Sequence, residues 1–214
     1  LTKPFNTSDN LLYWHCSSCE VIFLDSKHHI DATSEKERYL EHENIIEDIG
    51  YRDFLSKLIN PLKEKLYSGS CGLDFGCGHG PALADILNKD GFEVDLYDPF
   101  FYPNKKIFSK TYDFITCTET AEHFFSPKKE FDTLNSLLKP KGWLGVMTCF
   151  LTERKAFDKW YYRRDPTHVV FYAKKTFEVI GKPLAYIVVL PSKYKAPVVS
   201  PCLSSTKEPP MTAA

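Results

Sequence analysis

Between residues 71 and 150, short apolar runs alternate with stretches whose apolar positions recur at helical spacing. The runs at 71–75, 92–97, 112–117 and 143–149 have the length of buried strands, and Ile107–Phe108 suggests a further short one. Helical spacing marks 81–89, 127–138 carries Phe131, Leu134, Leu137 and Leu138 on one face, and Lys139-Pro140-Lys141-Gly142 reads as a turn. Strands alternating with helices predict an α/β fold built on a doubly wound, mostly parallel sheet. The unbroken apolar run 143–149 suits a strand covered on both faces.

The flanks follow other rules. Residues 33–67 read as helical, opening on a capping-box pair, Ser34 and Glu37, and broken at Gly50. Leu55, Leu58, Ile59, Leu62 and Leu66 form a stripe that packs on the sheet. Tyr39 and His42 share a face of the first helix, either as surface chemistry or as part of a lid over a ligand. Residues 11–24 read as strand, Cys-x-x-Cys knuckle, strand. Leu184–Leu190 reads as one more strand, and 191–214, rich in Pro, Ser, Thr and Lys, as a disordered tail. The chain thus divides into a small appendage at 1–32, a main domain at 33–190 and a tail at 191–214.

The chemistry concentrates where the first strand of the alternation ends. Asp74 is followed by Gly76-Cys77-Gly78-His79-Gly80 and then by a helix opening at Pro81. Glycines in such a turn accept positive φ and let a ligand lie against bare backbone. The second strand closes at Asp98, twenty positions after Gly78, where a βαβ nucleotide fold places an acid for a ribose. In such a sheet Gly76, Gly78, Asp98 and Thr118 surround one crevice. The aromatics after Asp98-Pro99, Phe100 to Tyr102, pack against an adenine or pin their loop.

Charge and cysteine usage narrow the field. Lys and Arg number 27 against 28 Asp and Glu, so no global basic field argues for nucleic acid. No apolar run reaches membrane-spanning length. The seven cysteines, odd in number and mostly in core strands, read as free thiols of a cytoplasmic protein. Only Cys16 and Cys19 have metal-ligand spacing, and a structural zinc site needs four ligands. Zinc there requires ligands from elsewhere, with His28 and His29 as candidates; the other readings are a half-ribbon without metal or coincidence. The chain does not begin with Met, and its oligomeric state is not legible.

The glycine spacing with its preceding acid resembles motif I of class I S-adenosylmethionine (SAM) dependent methyltransferases, a Rossmann-like fold. Three stretches together resemble one bacterial family of these enzymes whose members begin with a zinc ribbon: Ser34–Tyr39 with His42–Asn44; Gly72–Gly78 with Tyr97–Phe101; and Asp165–Tyr172. That family is related to the ubiquinone-biosynthesis O-methyltransferases. The resemblance implies that Asp74 lies near the methionine end of SAM. The turn from Gly76 through Cys77 and Gly78 to Gly80 passes beneath the cofactor. Asp98, with Pro99 beside it, takes the ribose hydroxyls, and Thr118 and Glu119 lie under the methyl donor.

Glu119, Glu122 and His123 share one face if their stretch is helical. The string resembles the Glu-x-x-Glu-His metal motif of ubiquinone O-methyltransferases and small-RNA 2′-O-methyltransferases; in the latter a later His completes the divalent-cation site, and His168 is a candidate for it. Without a metal, Glu122 and His123 brace their loop, or His123 or His168 serves as general base. The stretch 160–172, mixing aromatics, Arg163, Arg164 and His168, is a natural substrate wall. The expected function is methyl transfer from SAM to an oxygen or nitrogen of a small-molecule acceptor. The alternatives are a non-catalytic SAM-fold binding protein and an NAD enzyme, the latter disfavoured because its fingerprint is Gly-x-Gly-x-x-Gly.

Overall fold

The computed structural model describes residues 1–6, 9–41, 45–151, 154–180, 185–189 and 198–200. The elements in chain order are β1 (Thr2–Asn6), β2 (Leu12–Cys16), β3 (Ile22–Leu24), α1 (Ala32–Leu40), α2 (Ile49–Lys63), β4 (Cys71–Phe75), α3 (Ala82–Lys89) and β5 (Glu93–Tyr97). They continue with β6 (Tyr112–Thr118), α4 (Pro127–Leu137), β7 (Leu138–Met147), β8 (Val170–Phe171), α5 (Lys174–Ile180), β9 (Ala185–Val189) and β10 (Val198–Ser200).

The main sheet runs in the order β10-β9-β7-β6-β4-β5. Every pairing in it is parallel except β10 with β9. From β4 the chain goes to β5 on one side and returns to β6 on the other, so the order reverses beside β4 and opens a crevice at the strands' carboxyl ends. Side-chain alternation splits the core. Leu73, Ile115, Leu144 and Val146 face Phe131, Leu134 and Leu137 of α4. Phe114 and Met147 join Leu55, Leu58, Ile59 and Leu62 of α2 and Leu83 and Leu87 of α3. The leucine stripe expected of the second helix is thus buried on the sheet.

Several local expectations change. Residues around Ile107–Phe108 form a 3-10 turn, Lys105–Ser109, not a strand, so β5 is the sheet edge. The Lys139–Gly142 stretch is carried within β7, whose pairing with β6 jumps from Tyr112↔Leu138 to Phe114↔Trp143. The bulge absorbs the extra residues, with Lys141 at φ 67°. Asp31, rather than Ser34, caps α1, accepting from the N–H groups of Thr33 and Ser34 at 2.9 and 3.0 Å.

The appendage forms a second, antiparallel sheet in the order β1-β2-β3-β8, with the Cys-x-x-Cys knuckle between β2 and β3. Its last strand comes from the late insert, pairing Ile22↔Phe171 and Phe23↔Val170. The appendage is therefore sewn into the main domain rather than hung from it. Of the predicted tail, Val198–Ser200 pairs with β9, and 191–197 and 201–214 lie outside the described residues.

Candidate functional site

The turn after β4 is built on two positive-φ glycines, Gly76 at 76° and Gly78 at 64°. A Cβ on Gly76 would come within 2.1 Å of Thr120 Cγ2, so only glycine fits. The N–H groups of Gly76 and Cys77 donate to the Tyr97 carbonyl at 2.8 and 3.2 Å, tying the turn to the end of β5. Asp98 completes the tie. Its Oδ2 accepts from Gly78 N–H at 3.1 Å and its Oδ1 from the N–H groups of Phe100 and Phe101 at 2.8 and 3.0 Å. A carboxylate offers about four lone-pair positions, so roughly one remains for a ligand.

A cavity of about 840 Å³ opens over these strand ends. Gly76, Cys77, Gly78, Asp98, Pro99, Thr118 and Glu119 all line it. Asp74 and Gly80 are not among its lining residues. Asp74, 3% exposed, lies under the turn and accepts from Thr116 Oγ1 at 2.8 Å. Burial, with a smaller contribution from the Asp98 charge, pushes its carboxyl up to about 7. Asp74 thus sits buried behind the turn, and its charge is felt by Tyr51 and Cys77 on the cavity wall.

Helix α1 closes one side. Glu35 and Tyr39 line the cavity, joined by a 2.7 Å hydrogen bond from the Tyr39 hydroxyl. The Tyr39 ring lies 5.8 Å from Phe100 and 5.1 Å from His123, and the Lys36 ammonium sits 6.0 Å from the Phe101 ring. Arg38 donates twice to Asp165 Oδ2, at 3.2 and 2.7 Å, latching α1 to the insert. The lid reading of Tyr39 fits this placement; His42 and Asn44 lie outside the described residues.

The cavity walls also carry Glu122, His123 and His168. Glu122 is 0% exposed. It accepts from the Tyr162 hydroxyl at 2.5 Å and from Thr148 Oγ1 at 3.0 Å. Burial raises its carboxyl above the usual range, against the opposing charge of His168. His123 Nδ1 lies 3.0 Å from the Thr167 carbonyl and His168 Nδ1 2.7 Å from the Tyr162 carbonyl. Carbonyls only accept, so both Nδ1 atoms carry the proton when neutral and each Nε2 keeps its lone pair. Burial lowers the His168 pKa, with the Glu122 charge opposing, so this imidazole is neutral at neutral pH. Asp165 behind it is held at about 2: burial alone would raise it, but hydrogen bonds from Thr167 and Arg38 outweigh that.

The helix expected to align Glu119 with Glu122 and His123 is not there. Ala121–His123 is one 3-10 turn and Glu119 has φ 47°. Ligand atoms of Glu122, His123 and His168 lie within 4.8 Å of one another, and Glu119 is not part of that group. One carboxylate and two imidazoles with anchored Nδ1 atoms are a donor set suited to a divalent transition metal. Among the described residues no third ligand joins Cys16 and Cys19 in such a cluster, and His28 and His29 do not supply one. His29 instead meets the Leu24 carbonyl at 3.3 Å and the Phe125 ring at 4.6 Å. The six described cysteines are all free, as expected; Cys202 lies outside the described residues.

Sequence reasoning assigned Glu35 and Thr148 no part in the site and placed Tyr162 only within the 160–172 wall. Nothing local marks Thr148 or Tyr162, which meet Glu122 across 26 and 40 residues. No helix among the described residues is long and apolar enough to cross a membrane.

The model of a family described as methyltransferase domain matches residues 48–182. No curated protein is matched by the sequence. Among solved structures, the YcgJ protein from Bacillus subtilis aligns at 16% identity and a TM-score of 0.42, over 58% of this chain and 65% of its own length. A Bacillus halodurans C-125 protein assigned to the methyltransferases aligns at 21% identity and a TM-score of 0.43, over 59% of this chain and 68% of its own. The chain thus spans under two thirds of the Bacillus subtilis protein.

Proposed function

Since the chain belongs to the methyltransferase domain family, whose model covers most of its length, we propose that it transfers the methyl group of SAM to an oxygen or nitrogen of a small-molecule acceptor. The observation that carries this reading is one continuous cavity lined both by the Gly76–Gly78 turn with Asp98 and by the His123–His168 pair. SAM supplies an electrophilic methyl on a sulfonium. What the protein adds is placement and removal of the acceptor's proton.

The residues fit that cofactor. The positive-φ turn leaves bare backbone against the cavity, Asp98 retains an acceptor position for one ribose hydroxyl, and Pro99–Phe101 supply an apolar wall. The buried Thr118 Oγ1 has no hydrogen-bond partner among the described residues and lies on the cavity wall, where a bound ligand would complete it. His168, neutral with Nε2 unprotonated, takes the acceptor's proton, and Glu122 beside it stabilises the imidazolium. His123 shares this task from 4.9 Å between ring centroids.

Titration of the protein with SAM, followed by methyl-label transfer to a panel of hydroxyl and amine acceptors, tests the proposal. SAM binding without transfer to any acceptor favours the non-catalytic alternative. With turnover in hand, His168→Ala should lower kcat by at least about a hundredfold while leaving SAM affinity nearly unchanged.

A second reading rests on the 4.8 Å grouping of Glu122, His123 and His168: the same trio holds a divalent cation that orients an acceptor oxygen. Elemental analysis of the purified protein, with Glu122→Ala as control, separates the two. A stoichiometric metal lost in the variant supports the cation.

A further inference from the structure

The charges around the cavity are one-sided. Glu35, Asp98, Glu119, Glu122, Glu130 and Asp165 line it, and among the described residues no Lys or Arg does. Most of these acids are occupied: Glu35 accepts from Tyr39, Asp98 from three backbone N–H groups, Glu122 from Tyr162 and Thr148, and Asp165 from Arg38 and Thr167.

Glu119 differs. Its Oε1 is shielded from solvent and meets no hydrogen-bond donor among the described residues. Its backbone has φ 47°, a conformation uncommon outside glycine, fixed by the N–H donating to the Met147 carbonyl at 2.8 Å. Burial, reinforced by the nearby Glu122 charge, raises its carboxyl well above the usual range. Its charge is felt by Tyr161, Tyr162 and Cys149 on the insert side of the cavity and by Tyr51 across from them. An acid held in a strained backbone and short of a donor is a site awaiting one. Rotation about the last side-chain bond is broad and turns either oxygen to the cavity.

We infer that the acceptor carries a basic nitrogen and that Glu119 is its seat. This rests on the methyl-transfer reading and narrows it to amines. A cationic nitrogen supplies the missing donor and the missing positive charge together, and the carboxylate-lined walls repel acceptors bearing carboxylate or phosphate. Phe124, Phe125 and Tyr161, on the same cavity, give the rest of such a molecule aromatic surface.

The same ammonium chemistry is present on the methionine end of SAM, so the test occupies that end first. The full chain is saturated with S-adenosylhomocysteine (SAH), and binding of benzylamine, benzyl alcohol and benzoate is measured by calorimetry for the wild type and Glu119→Gln. The expected result is benzylamine at least about tenfold tighter than benzyl alcohol, with benzoate weakest. In the variant, amine and alcohol should come within about twofold of each other while SAH affinity holds. Equal binding of the three probes, binding of none, or an amine preference that survives in the variant overturns the inference. A variant that loses SAH affinity instead assigns Glu119 to the methionine ammonium and also overturns it. If the wild type does not bind SAH yet shows the Glu119-dependent preference for benzylamine, the methyl-transfer reading falls and the nitrogen seat stands.

Discussion

Asp98 carries two tasks with one carboxylate. Three backbone N–H bonds make it the tie between the glycine turn and the loop at Phe100, and the same residue lines the cavity. Asp98→Ala should therefore weaken SAM binding by about 1–3 kcal/mol, and Asp98→Asn, which keeps one acceptor oxygen, by less. Calorimetry on both variants checks the order, and equal affinities across the series would remove Asp98 from the cofactor site. Asp74 makes a pH prediction. Its folded pKa of about 7 is raised above the unfolded value near 4, so the folded state holds the proton longer. Stability from this group is full below about pH 4 and is lost as pH rises toward 7, at no more than about 1.4 kcal/mol per pH unit. Asp74→Asn keeps the acceptor for Thr116 and should flatten that loss between pH 5 and 8 in thermal melts. The sequence marked Asp98 and Asp74 alike, by position around the glycines. It could not show that Asp98 lines the cavity while Asp74 is buried behind the turn, because that depends on how each strand end packs.

At the scale of elements, the glycine turn tolerates no side chain at Gly76. Gly76→Ala adds a Cβ 2.1 Å from Thr120 Cγ2 at a φ of 76°, so it should destabilise the fold by about 1–3 kcal/mol and weaken SAM binding. Denaturant melts and titration check both, and a variant unchanged in each would mean the turn can be re-formed elsewhere. Most elements were legible, because apolar runs and helical stripes report burial directly: β4, β5, β6, α2, α3 and α4 fall close to their expected places. The misses share a cause. Ile107 is buried, but Lys105–Ser109 closes as a 3-10 turn against β5, a choice set by packing rather than by period. Likewise the Lys-Pro-Lys-Gly stretch looks like a turn yet is absorbed as a bulge in β7, since the neighbouring strand β6 supplies pairing on either side of it.

For the whole molecule, the unexpected feature is how the appendage and the late insert lock together. Phe171 of β8 packs with Tyr13 and Phe157, and Arg163, buried against both Tyr13 and Phe157, donates to Asp9 and to the carbonyls of Phe157 and Asp158. Arg163→Ala should lower stability by about 1–3 kcal/mol through the lost packing and the carbonyls left without a donor. Because Arg163 does not line the cavity, SAM affinity should hold; melts and titration on the same sample separate the two effects. Contacts spanning 154 residues leave no trace in local pattern, so the insert could be read as a wall but not as a strand of the appendage's sheet. The same holds for the Glu122 network, in which a recognisable string acquires its partners only through the fold. The central claim, that the cavity over β4, β5 and β6 is a SAM site, is tested most directly by titrating the full chain with SAM and, separately, with NADH. One-to-one binding of SAM, weakened in Asp98→Ala, with no heat from NADH is the predicted result; silence toward SAM, or binding of NADH in its place, would contradict it.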